Sequence, residues 1–342
     1  MRHYLVHLIF ATVLTALSAG LFSWWAEPIH GDLTRIGRWS EHDFGPNAAP
    51  PVIQVKAAGS SLNNATAMVL GDSFSERNLW QSIFEVKTNY IVKTFNYFGI
   101  KNCVQEWVKE VIKNPAVRIV IIETIEREFV ARFDNKTPVP LCSKGIFLPL
   151  EINTEVTEAA RPMWPPTVSF AYLSTTATNT VRSNLFNENY SDRFRTVNAP
   201  LHADCASFSN RRNNRILYLA DDDVKNQWQD DDIKNAVTNV LHIQNEVKQH
   251  GKEFIFMLAP DKSSVYRHCL ATDKAKLKQT KINQLLIEAG VNAPNMQSIF
   301  AEQANTVVDL YDPDNTHWST AGYILAGEIM SQHIAPKSKS IN

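Results

Sequence analysis

The pattern of the chain from Ala67 onward predicts an α/β fold, a three-layer α/β/α sandwich around a flavodoxin-like parallel sheet. Short apolar runs alternate with segments whose apolar residues recur at helical spacing, which indicates strand–helix–strand units. Because such units have right-handed crossovers, they build a parallel sheet covered by helices on both faces. The predicted strands are 67–71, 90–95, 117–123, 215–219, 253–258 and 306–310, and the predicted helices are about 76–87, 102–113, 223–249, 273–289 and one from Ser319.

The first half of this alternation has the clearest boundaries. The run Val117–Glu123 is almost continuously apolar, as expected for a strand that is buried on both faces. The helix before it has Asn102 as a cap and Pro115 as a stop. In the second half, Asp221–Asp223 suits the N-terminus of the long helix and Gly251 suits its end. These acidic residues lack the spacing of a calcium loop, so we expect a solvated helix start.

Composition excludes some functions before any motif is considered. The chain has 342 residues, of which 44% are hydrophobic, and its net charge is −1. That length suffices for one large domain with an insertion or for two small ones. Without a basic surplus, the chain is not expected to bind nucleic acid. Nothing in the composition calls for a cofactor.

The N-terminus predicts export from the cytoplasm. Tyr4–Trp25 contains no Asp, Glu, Lys or Arg, and this is about the length needed to cross a bilayer. Arg2 precedes it and Glu27 and Asp32 follow it, so the positive-inside rule leaves the N-terminus in the cytoplasm. Residues 1–26 are then a single transmembrane helix in the inner membrane, with the rest in the periplasm. The alternative is a signal peptide cleaved near Ala16–Ala19.

Residues 27–65 are predicted to be an extended lead-in, because glycine and proline break every period there. The domain proper is 66–342, and it is interrupted by an insertion at about 134–214 that has frequent Pro and Asn. This insertion is either a solvated loop region or a lid that faces the substrate. The four cysteines allow up to two disulfides in an exported protein but lack the spacing of a zinc site, so no metal is expected: Cys103, Cys142, Cys205 and Cys269.

The stretch Gly71-Asp72-Ser73-Phe74-Ser75 lies between a predicted strand and a predicted helix. Such a turn lifts a serine hydroxyl off the edge of a sheet and aims the N-terminus of the helix at it. Ser73 could then attack an ester carbonyl if a base takes its proton. The alternative is an ordinary turn in which Asp72 or Ser73 caps the helix.

A second motif near the other end of the chain supplies the base. Asp314 and His317 are three residues apart in a loop after the predicted strand 306–310. This spacing lets a carboxylate hold the imidazole in one tautomer and leaves the other nitrogen for a serine. Asp312 is a rival orienting residue, although Pro313 hinders its return to the histidine. Ser73, His317 and Asp314 therefore form a candidate nucleophile, base and orienter.

These motifs resemble the SGNH hydrolase superfamily, also called GDSL-like esterases. Gly71-Asp72-Ser73 matches its first block, Gly99 its second, and Asp314-x-x-His317 its last. The third block normally carries an asparagine that binds the oxyanion, and no asparagine stands in 121–127 here. The resemblance implies that the main-chain N–H groups of Ser73 and Gly99 bind the oxyanion.

Three further segments look like the periplasmic alginate O-acetyltransferase family: Glu123-x-x-Glu126-Arg127, Pro260-Asp261-Lys262-x-x-x-Tyr266 and His317-Trp318. In that family the Asp–His pair lies upstream of the serine, whereas here it lies downstream. Arg127 is a candidate third oxyanion donor, or it pairs with Glu123 or Glu126. Lys262 either binds an anionic glycan or caps the end of its strand. Trp318 is expected to pack rather than to stack on sugar.

The resemblance implies a membrane-anchored periplasmic O-acetyltransferase that acts on the hydroxyls of an exported polysaccharide through an acetyl-serine. Its partners would be the polysaccharide acceptor and a membrane-bound acyltransferase that delivers the acetyl donor. Two alternatives remain open at this point. One is a carbohydrate or lipid acetylesterase with the same residues, and the other is a non-catalytic glycan-binding protein of the same fold.

Overall fold

The computed structural model describes residues 2–25, 30–37, 39–53, 64–100, 102–134, 192–193, 195–205, 207–271 and 280–334. The strands in these ranges are β1 Ala67–Gly71, β2 Val92–Asn96, β3 Ile119–Ile125, β4 Asp192–Arg193, β5 Thr196–Pro200, β6 Arg215–Leu219 and β7 Glu253–Ala259. The helices are α1 Arg2–Trp25, α2 Asp32–Gly37, α3 Glu41–Phe44, α4 Leu79–Thr88, α5 Val104–Val111, α6 Phe129–Phe133, α7 Asp230–Gln249, α8 Lys262–Val265, α9 Ile282–Glu288, α10 Met296–Gln303 and α11 Thr320–Ile334. Short 3₁₀ segments cover Glu126–Glu128, Ala220–Gln227 and Arg267–Cys269.

The core of the fold is a parallel sheet of four strands in the order β2-β1-β3-β7, which confirms the predicted α/β class. Every residue of β1 and β3 is buried. One face packs against α4 and α11, and the other packs against α5 and α7. Helices α4 and α11 approach closely at Gly327, where a Cβ atom would lie 2.6 Å from Cβ of Ile83.

The prediction that strand 215–219 joins the parallel sheet is wrong. This segment, β6, pairs in antiparallel fashion with β5, and β5 pairs with β4, in a separate sheet. The lead-in packs on this second sheet, because α2 and α3 bury their apolar side chains against β6. The residues of this small core are Leu33, Trp39, Phe44, Leu217 and Leu219.

The strand predicted at 306–310 is also wrong. Asp309 has a left-handed backbone with φ of 54°, and its carboxylate accepts a hydrogen bond of 2.8 Å from the main-chain N–H of Ser209. This conformation is incompatible with a continuous strand. What pairing remains is one antiparallel bridge between Tyr311 and Trp318, which closes the loop that carries His317.

The long helix predicted over 223–249 is divided in two. Its first part is the 3₁₀ segment Ala220–Gln227, in which Asp222 and Lys225 are buried. The second part, α7, begins at Asp230 with a capping box between Gln229 and Asp232. The buried side chains hold the first part against the ends of β3 and β7, so the helix restarts only at α7.

The predicted transmembrane helix is not found: among the described residues, no helix combines the length and apolarity needed to cross a membrane. Residues 135–191, which include most of the predicted insertion, lie outside the described residues, as does Cys142. Cys205 and Cys269 form a disulfide, and Cys103 is also disulfide-bonded. The described part of the insertion contributes β5 to the second sheet.

Candidate active site

The site lies where the strands of the parallel sheet end. Strand β1 ends at Gly71 beside Asn96, the last residue of β2, while β3 and β7 end at Ile125 and Ala259. Because parallel strands point the same way, the loops after them meet at one edge of the sheet. Ser73 lies on the turn after β1, two residues beyond the strand.

The turn that carries Ser73 is folded around Asp72. The carbonyl of Asp72 accepts the N–H of Ser75 at 2.9 Å, and its carboxylate accepts the N–H of Phe74 at 3.1 Å. Helix α4 begins only at Leu79, so the expectation that a helix at 76 aims its N-terminus at Ser73 is wrong. A turn fixed by a side chain, rather than a helix end, holds the hydroxyl.

Below this turn lies a buried acid, Glu123 of β3. Its Oε2 accepts hydrogen bonds from the N–H of Asp72 at 3.0 Å and from the hydroxyl of Ser75 at 2.8 Å. Burial and the nearby Asp72 raise the pKa of Glu123 well above its ordinary value. This shift favours the protonated form of Glu123, and its Oε2 fastens the turn to the central strand. Gly71 leaves the space it needs, because a Cβ there would lie 2.8 Å from Oε2.

Asp72 is charged by contrast. Its Oδ2 accepts the N–H of Ile125 at 2.9 Å and a hydrogen bond of 2.7 Å from Arg132. Burial alone would raise the pKa of Asp72, but the guanidinium and these hydrogen bonds lower it below its ordinary value. The guanidinium carbon of Arg132 also lies 4.1 Å from the ring centre of Tyr97. This cation–π contact helps to hold the guanidinium in position.

His317 meets Ser73 as the two motifs predict. Nε2 of His317 lies 2.8 Å from Oγ of Ser73, although 244 positions separate the residues. Both side chains are partly exposed, so a substrate can reach them. The ring of Phe74 packs on the imidazole at a centroid distance of 4.7 Å. Trp318 is buried against Phe74, Phe300 and Tyr323, so it packs rather than stacks on sugar.

The neighbour on the far side of the ring fixes the tautomer of His317. Nδ1 lies 2.8 Å from the amide oxygen of Asn315, which can only accept a hydrogen bond. Nδ1 therefore carries the proton, and Nε2 presents a lone pair to the hydroxyl of Ser73. Burial lowers the pKa of His317 below its ordinary value, and the charge of Asp32 opposes this only in part. The ring is neutral at neutral pH, as a general base must be.

The carboxylate that the structure places near Nδ1 belongs to Asp32, at 3.6 Å, rather than to the predicted Asp314. Asp314 is buried, and its main-chain carbonyl accepts the N–H groups of Leu33 and Thr34. The lead-in thus occupies the place that the Asp-x-x-His spacing assigned to Asp314. No local pattern in the sequence links Asp32 to His317, whereas Asn315 and Thr316 stand inside the motif itself.

Of the three predicted oxyanion donors, the two main-chain N–H groups are available and Arg127 is paired with acidic residues. Among the described residues, no acceptor takes the main-chain N–H of Ser73 or of Gly99, and Gly99 lies in the turn after β2. Among the described residues, Arg127 makes no hydrogen bond to Ser73 and no ion pair with Glu123 or Glu126, although its charge acts on His317. It donates to Asp261 at 2.7 Å and lies 3.4 Å from Asp222.

The side chain of Lys262 is buried, and it points neither to solvent, where a glycan could bind, nor to the end of β7. Its buried ammonium donates to three main-chain carbonyls of the His317 loop, those of Asp312, Pro313 and Asn315, at 2.7–3.1 Å. Burial lowers the pKa of Lys262 to about 8, against the attraction of nearby carboxylates led by Asp314. Lys262 is therefore a clamp that shapes the loop between Asp312 and His317.

One group of residues of metal-ligand type occurs in the described part of the chain: Cys205, His268 and Cys269. Both cysteines are joined in the disulfide, so their sulfurs are not available as thiolates. This group does not fit a metal.

Comparison with known proteins identifies a family for the C-terminal part of the chain. Residues 214–342 match the family model described as SGNH hydrolase-like domain, acetyltransferase AlgX. The match contains His317 and Asp314, and it leaves Ser73 and Asp32 outside. No curated protein and no solved structure gave a significant match. The expected relationship to the SGNH acetyltransferase family is thus confirmed over residues 214–342, which resemble the SGNH hydrolase-like domain of acetyltransferase AlgX.

Proposed function

We propose that this protein is an O-acetyltransferase that moves acetyl groups to hydroxyls of an exported polysaccharide through an acetylated Ser73. The observation that carries the proposal is the 2.8 Å contact between Ser73 Oγ and the unprotonated Nε2 of His317. A serine hydroxyl is a weak nucleophile until a neighbouring base takes its proton. The match to an acetyltransferase domain family favours acetyl as the group that is transferred.

The reaction takes place in two displacements. First, Ser73 Oγ attacks the carbonyl carbon of the donor's acetyl group while Nε2 of His317 takes the hydroxyl proton. The donor's leaving group then departs with that proton. In the second half, a sugar hydroxyl gives its proton to His317 and attacks the acetyl-serine. The ester bond to Ser73 breaks, and its oxygen regains the proton.

Each displacement passes through an anionic tetrahedral oxygen. We assign its stabilisation to the N–H groups of Ser73 and Gly99, which have no acceptor in the described part of the chain. Loss of one such donor typically raises a barrier by about 3 kcal/mol. Water in place of the sugar would turn the same acyl-enzyme into an esterase, so the acceptor decides the activity.

The proposed place of action is the periplasmic side of the inner membrane, next to a membrane-bound acyltransferase that supplies the acetyl group. The uncharged stretch Tyr4–Trp25 supports export. The disulfide between Cys205 and Cys269 supports an oxidising compartment, because such bonds are rare in the cytoplasm.

The test is a chromogenic acetyl ester given to the purified protein with and without candidate oligosaccharides. We expect release of the chromophore and an acetylated oligosaccharide detected by mass spectrometry. Ser73→Ala should abolish both. Ser298→Ala, which changes an exposed serine of α10, serves as the matched control and should retain both.

Other outcomes are equally informative. Free acetate as the sole product with every oligosaccharide would assign the esterase activity instead. Full turnover by Ser73→Ala would reject both enzymatic functions in this form. Retention of glycan on the immobilised protein without any turnover would favour the binding protein.

A further inference from the structure

The lead-in before the domain is docked on the loop that carries the base. The N–H groups of Leu33 and Thr34 both donate to the carbonyl of Asp314, at 3.0 and 3.4 Å. Gly31 lies so close that a Cβ atom there would overlap the carbonyl oxygen of Asp314. Thr34 in turn donates to the buried Glu41 at 2.5 Å, which holds the start of α2 in place.

This docking places Asp32 beside the base. Its Oδ1 accepts the main-chain N–H of Thr316 at 2.8 Å, and its Oδ2 accepts the hydroxyl of Thr316 at 2.5 Å. The same Oδ2 lies 3.6 Å from Nδ1 of His317. The carboxylate is largely buried, with 19% of its side chain exposed, so solvent screens it only in part.

We infer that Asp32, supplied by the lead-in, is the carboxylate that positions His317 and stabilises its imidazolium, so that residues 30–37 complete the catalytic site. The inference rests on the proposed function, because it assigns a role within the Ser73–His317 reaction. Asp32 holds Thr316 by two hydrogen bonds, and Thr316 Oγ1 lies 3.2 Å from Nδ1. Asp32 thus fixes the backbone and the side chain next to the base.

The charge of Asp32 is needed when the base takes its proton. At that moment Nδ1 and Nε2 both carry protons, and a carboxylate 3.6 Å away stabilises the positive ring. Four charged groups act most strongly on His317. Asp32 and Asp72 favour the imidazolium, whereas Arg127 and Arg77 disfavour it. Of these, Asp32 has the largest effect on the charged form.

The role of Asp314 follows from the same contacts. The main-chain carbonyl of Asp314 accepts hydrogen bonds from two N–H groups of α2. Among the nearby carboxylates, that of Asp314 attracts the ammonium of Lys262 most strongly. Asp314 therefore links three parts of the structure: the lead-in, the loop that carries His317, and Lys262. On this inference, the sequence motif points to the correct loop, and Asp32 takes the role that the motif assigns to Asp314.

The experiment compares Asp32→Asn with Asp43→Asn in the full chain. Asn keeps one acceptor oxygen, for the main-chain N–H of Thr316, and its amide group can donate to the Thr316 hydroxyl where Oδ2 accepted from it. The charge is removed with little change of shape, so we expect the fold to persist. Asp43 is in the same lead-in, 3.4 Å from Arg212 and away from the base, which makes it the matched control. The readouts are an NMR titration of the His317 ring and the pH profile of ester hydrolysis.

We expect Asp32→Asn to lower the pKa of His317 and to reduce kcat about 10–100-fold with little change in KM. Asp32→Glu should recover part of kcat, and Asp43→Asn should match the wild type in both readouts. An unchanged imidazole titration and an unchanged kcat in Asp32→Asn would overturn the inference. So would a loss of kcat in Asp314→Asn with the drop in imidazole pKa that we assign to Asp32.

The titration separates this inference from the proposed function. If Ser73→Ala retains activity, the acetyl-serine mechanism fails, yet the NMR titration still reports whether Asp32 acts on His317. If Ser73→Ala is inactive and Asp32→Asn behaves as the wild type, the proposed function stands and the role of Asp32 falls.

Discussion

The hydroxyl of Ser75 donates to Oε2 of Glu123 over 2.8 Å, which ties the turn that carries Ser73 to the central strand of the sheet. The same oxygen accepts the N–H of Asp72. A completely buried acid thus lies under the turn, and it binds this turn through Ser75, two residues beyond the nucleophile. The position of Ser73 depends on this contact more than on a helix end.

The raised pKa of Glu123 predicts how Glu123→Gln behaves. The pKa of Glu123 is raised in the folded protein, so its contribution to stability is present at low pH and is lost as the pH rises above about 4.5. Gln accepts the same two hydrogen bonds and has no proton to lose. We expect Glu123→Gln to gain stability relative to the wild type as the pH rises, measured by urea unfolding between pH 4 and 8.

The control for this prediction is Glu123→Ala, which removes both acceptors and leaves a cavity. It should lose about 3 kcal/mol or more at every pH. A stability difference between Glu123→Gln and the wild type that does not change with pH would mean that folding does not raise the pKa of Glu123.

Gly71→Ala tests the space above Glu123. The added Cβ would overlap Ser75 and lie 2.8 Å from Oε2 of Glu123, so the turn must move. We expect a loss of about 1–3 kcal/mol in stability and most of the esterase activity. Gly251→Ala is the contrast, because its φ is 70° and nothing lies within 4 Å of the new atom. It should cost about 1 kcal/mol and leave activity intact.

The pH profile of kcat/KM follows from the lowered pKa of His317, whose ring is only partly exposed. Its pKa lies below 6.5, so the ring stays neutral and active until the pH falls below that value. We expect kcat/KM to fall on the acid side along a single titration whose midpoint lies below pH 6.5. An acid limb centred above pH 6.5 would show that the base is not the imidazole with the lowered pKa described here.

Lys262→Met tests the clamp on the loop. Met fills similar space but leaves the carbonyls of Asp312, Pro313 and Asn315 without their donor. We expect a loss of about 3 kcal/mol in stability and a clear fall in kcat, because Asn315 and His317 lose their fixed positions. Lys248→Met, at an exposed position of α7, is the control and should change neither quantity.

The sequence predicts Ser73 and His317 because each lies in a short local motif after an apolar run. It cannot predict Asp32, since the lead-in shows no periodicity and its contact with Thr316 spans 284 positions. The partners of Arg127 are equally hidden from the sequence. Asp222 and Asp261 come from segments far along the chain, whereas the local pattern offers Glu123 and Glu126 as partners.

The errors in secondary structure have the same origin. The apolar residues Val307 and Val308 predict a strand, but the hydrogen bond from the N–H of Ser209 to the carboxylate of Asp309 holds the chain in a turn. Segment 215–219 has the composition of a strand, and composition does not reveal which sheet it joins. Local sequence pattern therefore predicts the parallel sheet and the positions of Ser73 and His317. The sheet that β6 joins and the contact of Asp32 with the His317 loop depend on long-range pairing, which local pattern does not reveal.

The most direct test of the acetyl-serine mechanism is mass spectrometry of the peptide that contains Ser73 after brief exposure to an activated acetyl ester at neutral pH. The mechanism predicts that the peptide gains one acetyl group on Ser73, and that His317→Ala removes this labelling. Acetyl on another residue, or rapid turnover with Ser73 never modified, would contradict it.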